Sequence, residues 1–151
     1  MRDLTLSIST LLLIFLNSCG PTQNNSSESS DHNVEKETAA TVSRVFFESP
    51  AEGTTVSTTF SVKMGLEGMQ IEPAGQAKEG FGHHHILINQ TSWPEGEIIP
   101  PSDTTIHFGK GQTETELTIE PGNYVISLQF ADGVHASYGP SMAASMNIVV
   151  E

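Results

Sequence analysis

The pattern that most constrains the fold is a two-residue alternation of apolar and polar side chains, repeated in short runs between turn residues. In residues 60–66, FSVKMGL, the apolar Phe60, Val62 and Met64 alternate with polar residues. Successive residues of a strand point to opposite faces, so each such run predicts a strand with one buried face. Further runs are RVFFES, HHHILIN, TIHF, TETELTI, YVISLQF and MAASMNIVV. About seven short strands separated by Gly and Pro turns predict an all-β, immunoglobulin-like antiparallel β-sandwich over residues 44–151.

The N-terminus has a different character. An apolar stretch of about 13 residues runs from Leu4 to Leu16, too short to span a hydrocarbon core that needs about 20, and is typical of a signal peptide. Its end, Leu-Asn-Ser-Cys, resembles the lipobox of bacterial lipoproteins, and it holds the sole cysteine of the chain, Cys19. We expect residues 1–18 to be a lipoprotein signal peptide and Cys19 to be lipidated, anchoring the protein to a membrane. The alternative is an ordinary signal peptide followed by a chance cysteine.

Residues 19–43 are rich in Ser, Asn, Thr and Glu and poor in apolar side chains. Such a segment buries too little surface to offset the entropy of ordering it, so it predicts a flexible tether. Gly20 rather than Asp follows the cysteine, which favours the outer membrane by analogy with other lipoproteins. The expected location is therefore the bacterial cell envelope, with the domain facing the periplasm or the cell surface.

Charge and composition restrict the classes of function that we expect. The 151 residues carry a formal net charge of −12, which argues against nucleic acid as a partner because that requires a basic surface. No nucleophile elbow or other catalytic signature is present, so we do not expect an enzyme. A metal-dependent oxygenase or hydrolase using His83, His85 and either Glu79 or Glu114 fits the composition, but nothing in the spacing requires it.

The histidines are the strongest functional signal. In GFGHHHILIN, His84 shares one face of the predicted strand with Ile86 and Ile88, so it is expected to point inward. His83 and His85 share the other face, about 7 Å apart, and are expected to point outward. Two imidazoles at this spacing can bind one ion. His107 lies on a short predicted strand and His135 in a turn, and spacing alone does not show whether these regions meet. The alternative is that the imidazoles are architectural and brace a loop.

The folded part resembles the bacterial domain-of-unknown-function family 4399. The similarity is carried by GLEGMQIEPAGQAKEGFGHHHILIN and by IPPSDTTIHFGKGQTETELTIEPGNYVISLQFADGVHASYGP. It implies a signal peptide, the same fold and no assigned activity. The family usually has a histidine where this chain has Tyr138, which would weaken or rearrange a site that relied on it. The characteristic positions that the resemblance implies are His83, His84, His85, His107, Gln112, Glu114 and His135.

Two functional hypotheses result. In the first, His83, His85 and His107 bind copper or zinc for buffering or delivery, because imidazole suits these ions. His84 and His135 act as further ligands or braces, Gln112 and Glu114 orient His107, and Met69 is a candidate soft ligand for Cu(I). In the second, the domain is a structural or interaction module of the cell envelope. Its long loops, 67–82 and 90–104, would then bind a protein or a glycan.

Overall fold

Nearly every alternating run becomes a strand in the structure, a computed structural model that describes residues 42–151. The predicted signal peptide, Cys19 and the predicted tether up to residue 41 lie outside the described residues. A short 3-10 helix, Pro140–Met142, precedes the last strand. The strands are β1 (Arg44–Ser49), β2 (Thr55–Val56), β3 (Thr59–Glu67), β4 (Gln70–Ile71), β5 (Phe81–Ile88), β6 (Thr105–His107), β7 (Glu114–Thr118), β8 (Gly122–Ala131) and β9 (Ala143–Val150).

Two sheets pack face to face. The smaller sheet has the order β1-β3-β7, and the larger has the order β2-β9-β8-β5-β4, with β6 also paired to β5. The prediction of an all-β sandwich is confirmed. Two short strands were not predicted: β2 and β4, and each pairs in parallel with its neighbour. Both are only two residues long, too short to give an alternating sequence pattern. Between residues 42 and 151, no helix is long and apolar enough to cross a bilayer.

The main core lies between the sheets and follows the alternation of the sequence. From β3, Phe60, Val62 and Met64 are buried, and the residues between them are exposed. From β8 in the opposite sheet, Ile126, Leu128 and Phe130 complete the same cluster. β3 and β8 thus place their even-numbered apolar residues in the core, because side chains alternate between the two faces of a sheet.

The outer face of the larger sheet is also covered, although it points away from the main core. Leu87 and Ala131 on this face form a second apolar cluster with Ile99, and Trp93 packs against it. Gln129, fully buried on this face, accepts a hydrogen bond from the Trp93 backbone N–H at 2.8 Å. The segment between β5 and β6 therefore folds over the sheet and shields this face from water.

Candidate metal centre

Strand β5 delivers two histidines to the covered outer face. His83 and His85 lie on the same side of the strand as Leu87, and the two imidazoles are 0% and 1% exposed. On the opposite side, Ile86 lies in the main core. The alternation expected from the sequence therefore holds, but the two imidazoles that were expected to point outward are buried under loops.

Strand β6 brings the third histidine alongside. It pairs antiparallel with β5, and His107 is the direct partner of His85 in this register. Directly opposed residues of neighbouring strands have their Cβ atoms about 5 Å apart, which puts the two side chains within contact distance. Gly109 lies against the His107 ring, and any side chain at this position would collide with the imidazole.

The turn after β8 supplies the fourth histidine. β8 ends at Ala131, the partner of His83, and the chain then reverses so that the His135 N–H donates to the Asp132 carbonyl at 3.0 Å. The Asp132 carboxylate accepts hydrogen bonds from the N–H groups of Val134 and Ala136, each at 2.9 Å. His135 has a φ of 71°, a left-handed conformation uncommon in residues other than glycine. The aspartate thus holds a strained turn that directs His135 back over the sheet.

The Nε2 atoms of these four residues, His83, His85, His107 and His135, converge, and we call them the histidine cluster. His85 Nε2 lies 3.2 Å from His83 Nε2, and His83 Nε2 lies 3.1 Å from His107 Nε2. His107 Nε2 lies 3.1 Å from His135 Nε2. The ligand atoms of His83, His107 and His135 all lie within 4.8 Å of one another, and His85 joins this set of three through His83.

Hydrogen bonds alone do not account for this arrangement. A ring nitrogen carries either one proton or one lone pair in the ring plane, so it forms one good hydrogen bond. His83 Nε2 and His107 Nε2 each take part in two of the three contacts. At most two of the three contacts can therefore be good hydrogen bonds. A cation at the centre would accept the facing lone pairs together.

The electrostatic environment favours the neutral form of the His83, His85 and His107 imidazoles. Burial is the main cause that lowers the pKa of His83 from 6.5 to about 4 and that of His85 from 6.5 to about 3. Repulsion between the clustered imidazoles lowers both pKa values further, whereas the charge of Asp132 acts in the opposite direction on His83. Burial also lowers the pKa of His107. Neutral imidazole is the form that binds metal, so His83, His85 and His107 have their lone pairs available at neutral pH.

The second nitrogens of the buried rings are held by packing. The Nδ1 atoms of His83 and His85 are buried and have no hydrogen-bond partner among the described residues. In most protein metal sites, this N–H donates to a carboxylate or a carbonyl, which fixes the ring. Here the rings contact one another instead, with centroids 5.0 Å apart for His83 and His85.

His84 does not belong to the cluster. It is fully buried, and its ring meets that of Phe130 edge-on with the centroids 5.4 Å apart. Neither of its nitrogens has a hydrogen-bond partner in residues 42–151. Neighbouring residues of a strand point to opposite faces, so His84 lies on the core side of β5, and the expectation that it is a further ligand of the same ion is corrected.

Gln112 and Glu114 do not orient His107. The Gln112 side chain accepts a hydrogen bond from the Lys110 N–H at 2.9 Å, within the turn that follows β6. Glu114 begins β7 in the smaller sheet and pairs with Lys63, whereas the histidines belong to the larger sheet. In the described part of the chain, neither side chain hydrogen-bonds an imidazole, so the orienting role expected for them is corrected.

Two other sequence candidates are used in packing. Tyr138 donates a hydrogen bond from its hydroxyl to the Phe81 carbonyl at 2.8 Å, and its ring stacks on Phe130 at 5.9 Å. It therefore fastens the start of β5. Met69, considered as a soft copper ligand, packs against the main core.

Sequence reasoning identified neither Asp132 nor the contact between Gly109 and the His107 ring. The signal for Asp132 was present, because Asp-Gly followed shortly by a histidine favours an Asp-capped turn. The signal for Gly109 was weaker, since a glycine two residues after His107 reads equally well as part of a turn.

Comparison with known proteins places the chain in a family without assigning an activity. Among curated proteins, none matches this sequence. Among solved structures, the chain is similar to the solution structure of the PKD domain (residues 329–428) of human KIAA0319, with 16% identity and a TM-score of 0.36. That match covers 84% of this chain and 92% of the PKD chain. Residues 62–151, which include the whole histidine cluster, match the family described as a domain of unknown function (DUF4399), and the chain belongs to that family.

Proposed function

We propose that this protein is a lipid-anchored domain of the bacterial cell envelope that binds copper or zinc through the histidine cluster, to buffer or deliver the ion. The observation that carries the proposal is the row of three Nε2 contacts of 3.1–3.2 Å among four imidazoles. Two nitrogens bound to one tetrahedral zinc are about 3.3 Å apart, given a Zn–N distance of about 2.0–2.1 Å. Neighbouring nitrogens in the row are therefore spaced as two ligands of one ion are.

The surroundings support a cation. The buried imidazoles of His83 and His85 are donors without charge, and the Asp132 carboxylate contributes a negative charge that acts on His83. The protein as a whole is acidic, with a net charge of −12, which raises the local concentration of cations. Because divalent copper generally binds nitrogen ligands more tightly than zinc does, we expect the affinity for Cu²⁺ to exceed that for Zn²⁺.

The test is isothermal titration of Cu²⁺ and Zn²⁺ into the protein, purified without a histidine tag. We expect one ion per chain and loss of binding in the triple variant His83→Ala/His85→Ala/His107→Ala. The matched control is His84→Leu, which removes the adjacent histidine from the core side of β5 and should bind as the wild type does. Equal binding by the wild type and the folded triple variant would overturn the proposal.

A second candidate is an interaction domain whose histidines are architectural. The burial of His83 and His85 under the loops favours it, because buried imidazoles also brace packed segments. In that case the triple variant would lose thermal stability in metal-free buffer, and a chelator would leave the melting temperature of the wild type unchanged. The metal hypothesis predicts instead that added ion raises the melting temperature of the wild type only.

A further inference from the structure

We infer that an ion held by the histidine cluster takes an additional ligand from outside the protein, and that this ligand is a small molecule with one donor atom and an apolar body. The inference rests on the proposed metal function and specifies what the same site recognises. The feature that carries it is a cavity of about 220 Å³ that opens beside the imidazoles.

The cavity has metal ligands on one side and apolar residues on the other. His85, His107 and His135 form the first wall, and Ile98, Ile99 and two prolines form much of the second. A molecule in the cavity would therefore lie against the imidazoles that hold the ion. Zinc sites with three protein ligands keep a position for an external ligand, and four-coordinate sites sometimes expand to five.

The chemistry of the wall defines the class of ligand. Besides the imidazoles, the polar side chain in the lining is that of Thr105, whose hydroxyl already donates to the Pro100 carbonyl. The wall thus offers a ligand little hydrogen bonding beyond the ion itself, so polar groups away from the donor atom would be buried without partners. An apolar body avoids this cost.

Size and exposure set further limits. At about 30 Å³ per water-sized group, the cavity accommodates about seven such groups, which suits a small ring with a short alkyl chain. Ile98 on the wall is 56% exposed, an unusually high value for a large aliphatic residue in this domain. Covering this side chain is a source of binding free energy that a purely polar ligand would not use.

The experiment uses the Cu²⁺-loaded protein and two probes, imidazole and 1-butylimidazole. Binding is followed through the d–d absorption band and the electron paramagnetic resonance spectrum, and copper retention is checked after desalting. We expect 1-butylimidazole to shift the spectrum and to bind about tenfold more tightly than imidazole, because its alkyl chain enters the apolar part of the cavity.

Two variants distinguish an effect of the cavity wall from a general effect of substituting an exposed aliphatic residue. Ile98→Ser should lower the affinity for 1-butylimidazole by about three- to tenfold and leave the affinity for imidazole unchanged, since the substitution removes only part of the apolar wall. Val134→Ser is the matched control, because Val134 is also an exposed aliphatic residue, 46% accessible, next to His135 but outside the cavity lining. It should change neither affinity.

The outcomes are distinguishable from those that test metal binding itself. If copper does not bind the protein, the proposed function fails before any probe is added. If copper binds and neither probe alters its spectrum, the imidazoles close the coordination sphere and this inference alone is overturned. Equal affinity for the two probes, or an equal effect of Ile98→Ser on both, would also overturn it. Removal of copper from the protein by either probe would also overturn the inference.

Discussion

His85 and His107 face each other across two neighbouring antiparallel strands, with their ring centroids 5.1 Å apart. The register of β5 and β6 therefore sets the distance between the two imidazoles, and no loop has to adjust to bring them together. Sites built on paired strands are more precise than sites built on loops. The turn residue His135 is the member whose position depends most on local conformation.

Removal of His107 should abolish tight metal binding while the domain stays folded. His107 is exposed and contacts both His83 and His135 through Nε2, so His107→Ala interrupts the row of nitrogens at its centre. We expect the dissociation constants for Cu²⁺ and Zn²⁺ to rise by about a hundredfold or more. Substitution of residues that only orient metal ligands already lowers metal affinity by about 10- to 100-fold. Titration calorimetry measures this. Glu114→Gln serves as the control and should bind normally, and normal binding by His107→Ala would contradict the assignment.

Substitution of Gly109 tests whether the position of the His107 ring matters. A Cβ atom in Gly109→Ala would collide with the imidazole, and the ring must rotate away because the backbone is fixed by β6. We expect metal affinity to fall by about tenfold or more, with a circular dichroism spectrum like that of the wild type. Gly75→Ala is a matched control, because its Cβ would meet only the Pro73 carbonyl, at 4.0 Å. Equal affinities in the two variants would show that the ring has room to move.

Replacement of His84 should stabilise the protein. Its two ring nitrogens are buried without hydrogen-bond partners in residues 42–151, and each such group costs about 1–3 kcal/mol. His84→Leu keeps an apolar side chain against Phe130 and removes both nitrogens. We expect the free energy of unfolding, measured by urea denaturation at pH 7, to rise by about 1–2 kcal/mol. Lower stability would mean that the imidazole has a role in the core that its contacts do not reveal.

The sandwich could be predicted from the sequence because the alternation of apolar and polar residues is a local pattern. Alternation in β3 and β8 assigns each side chain to a face, and the same rule placed His84 apart from His83 and His85. The convergence of His107 and His135 on β5 could not be predicted, because it depends on which strands pair and on their register. Glu114 illustrates the same limit, since seven residues after His107 the chain has crossed to the opposite sheet. The burial of His83 was equally hidden, because alternation shows which face of the sheet a side chain takes and not what covers that face.

The stability of the metal-free protein should fall on mild acidification. The pKa values of His83 and His84 are lowered to about 4 and that of His85 to about 3, from 6.5. Below pH 6.5 the unfolded chain therefore binds protons that the folded chain excludes, so the stabilising contribution is complete above pH 6.5 and is lost as pH falls towards 4.

We expect a lower melting temperature at pH 5.5 than at pH 7.5 in the presence of a chelator, a range in which ordinary carboxylates stay ionised. His84→Leu removes one of these groups and should show a smaller difference between the two pH values. An unchanged or higher melting temperature of the wild type at pH 5.5 would contradict the account.

Asp132 should contribute to the site in two separable ways. Its carboxylate accepts the N–H groups of Val134 and Ala136, and its charge acts on His83. Asp132→Asn keeps an oxygen for the two hydrogen bonds and removes only the charge, so we expect metal affinity to fall by about two- to fivefold, the effect of one partly screened charge. Asp132→Ala also releases the turn that holds His135 at positive φ, and the loss should be at least about tenfold larger. Titration of both variants at low and high salt checks this, because only the charge effect should shrink with salt. Equal losses in the two variants would show that the turn does not position His135.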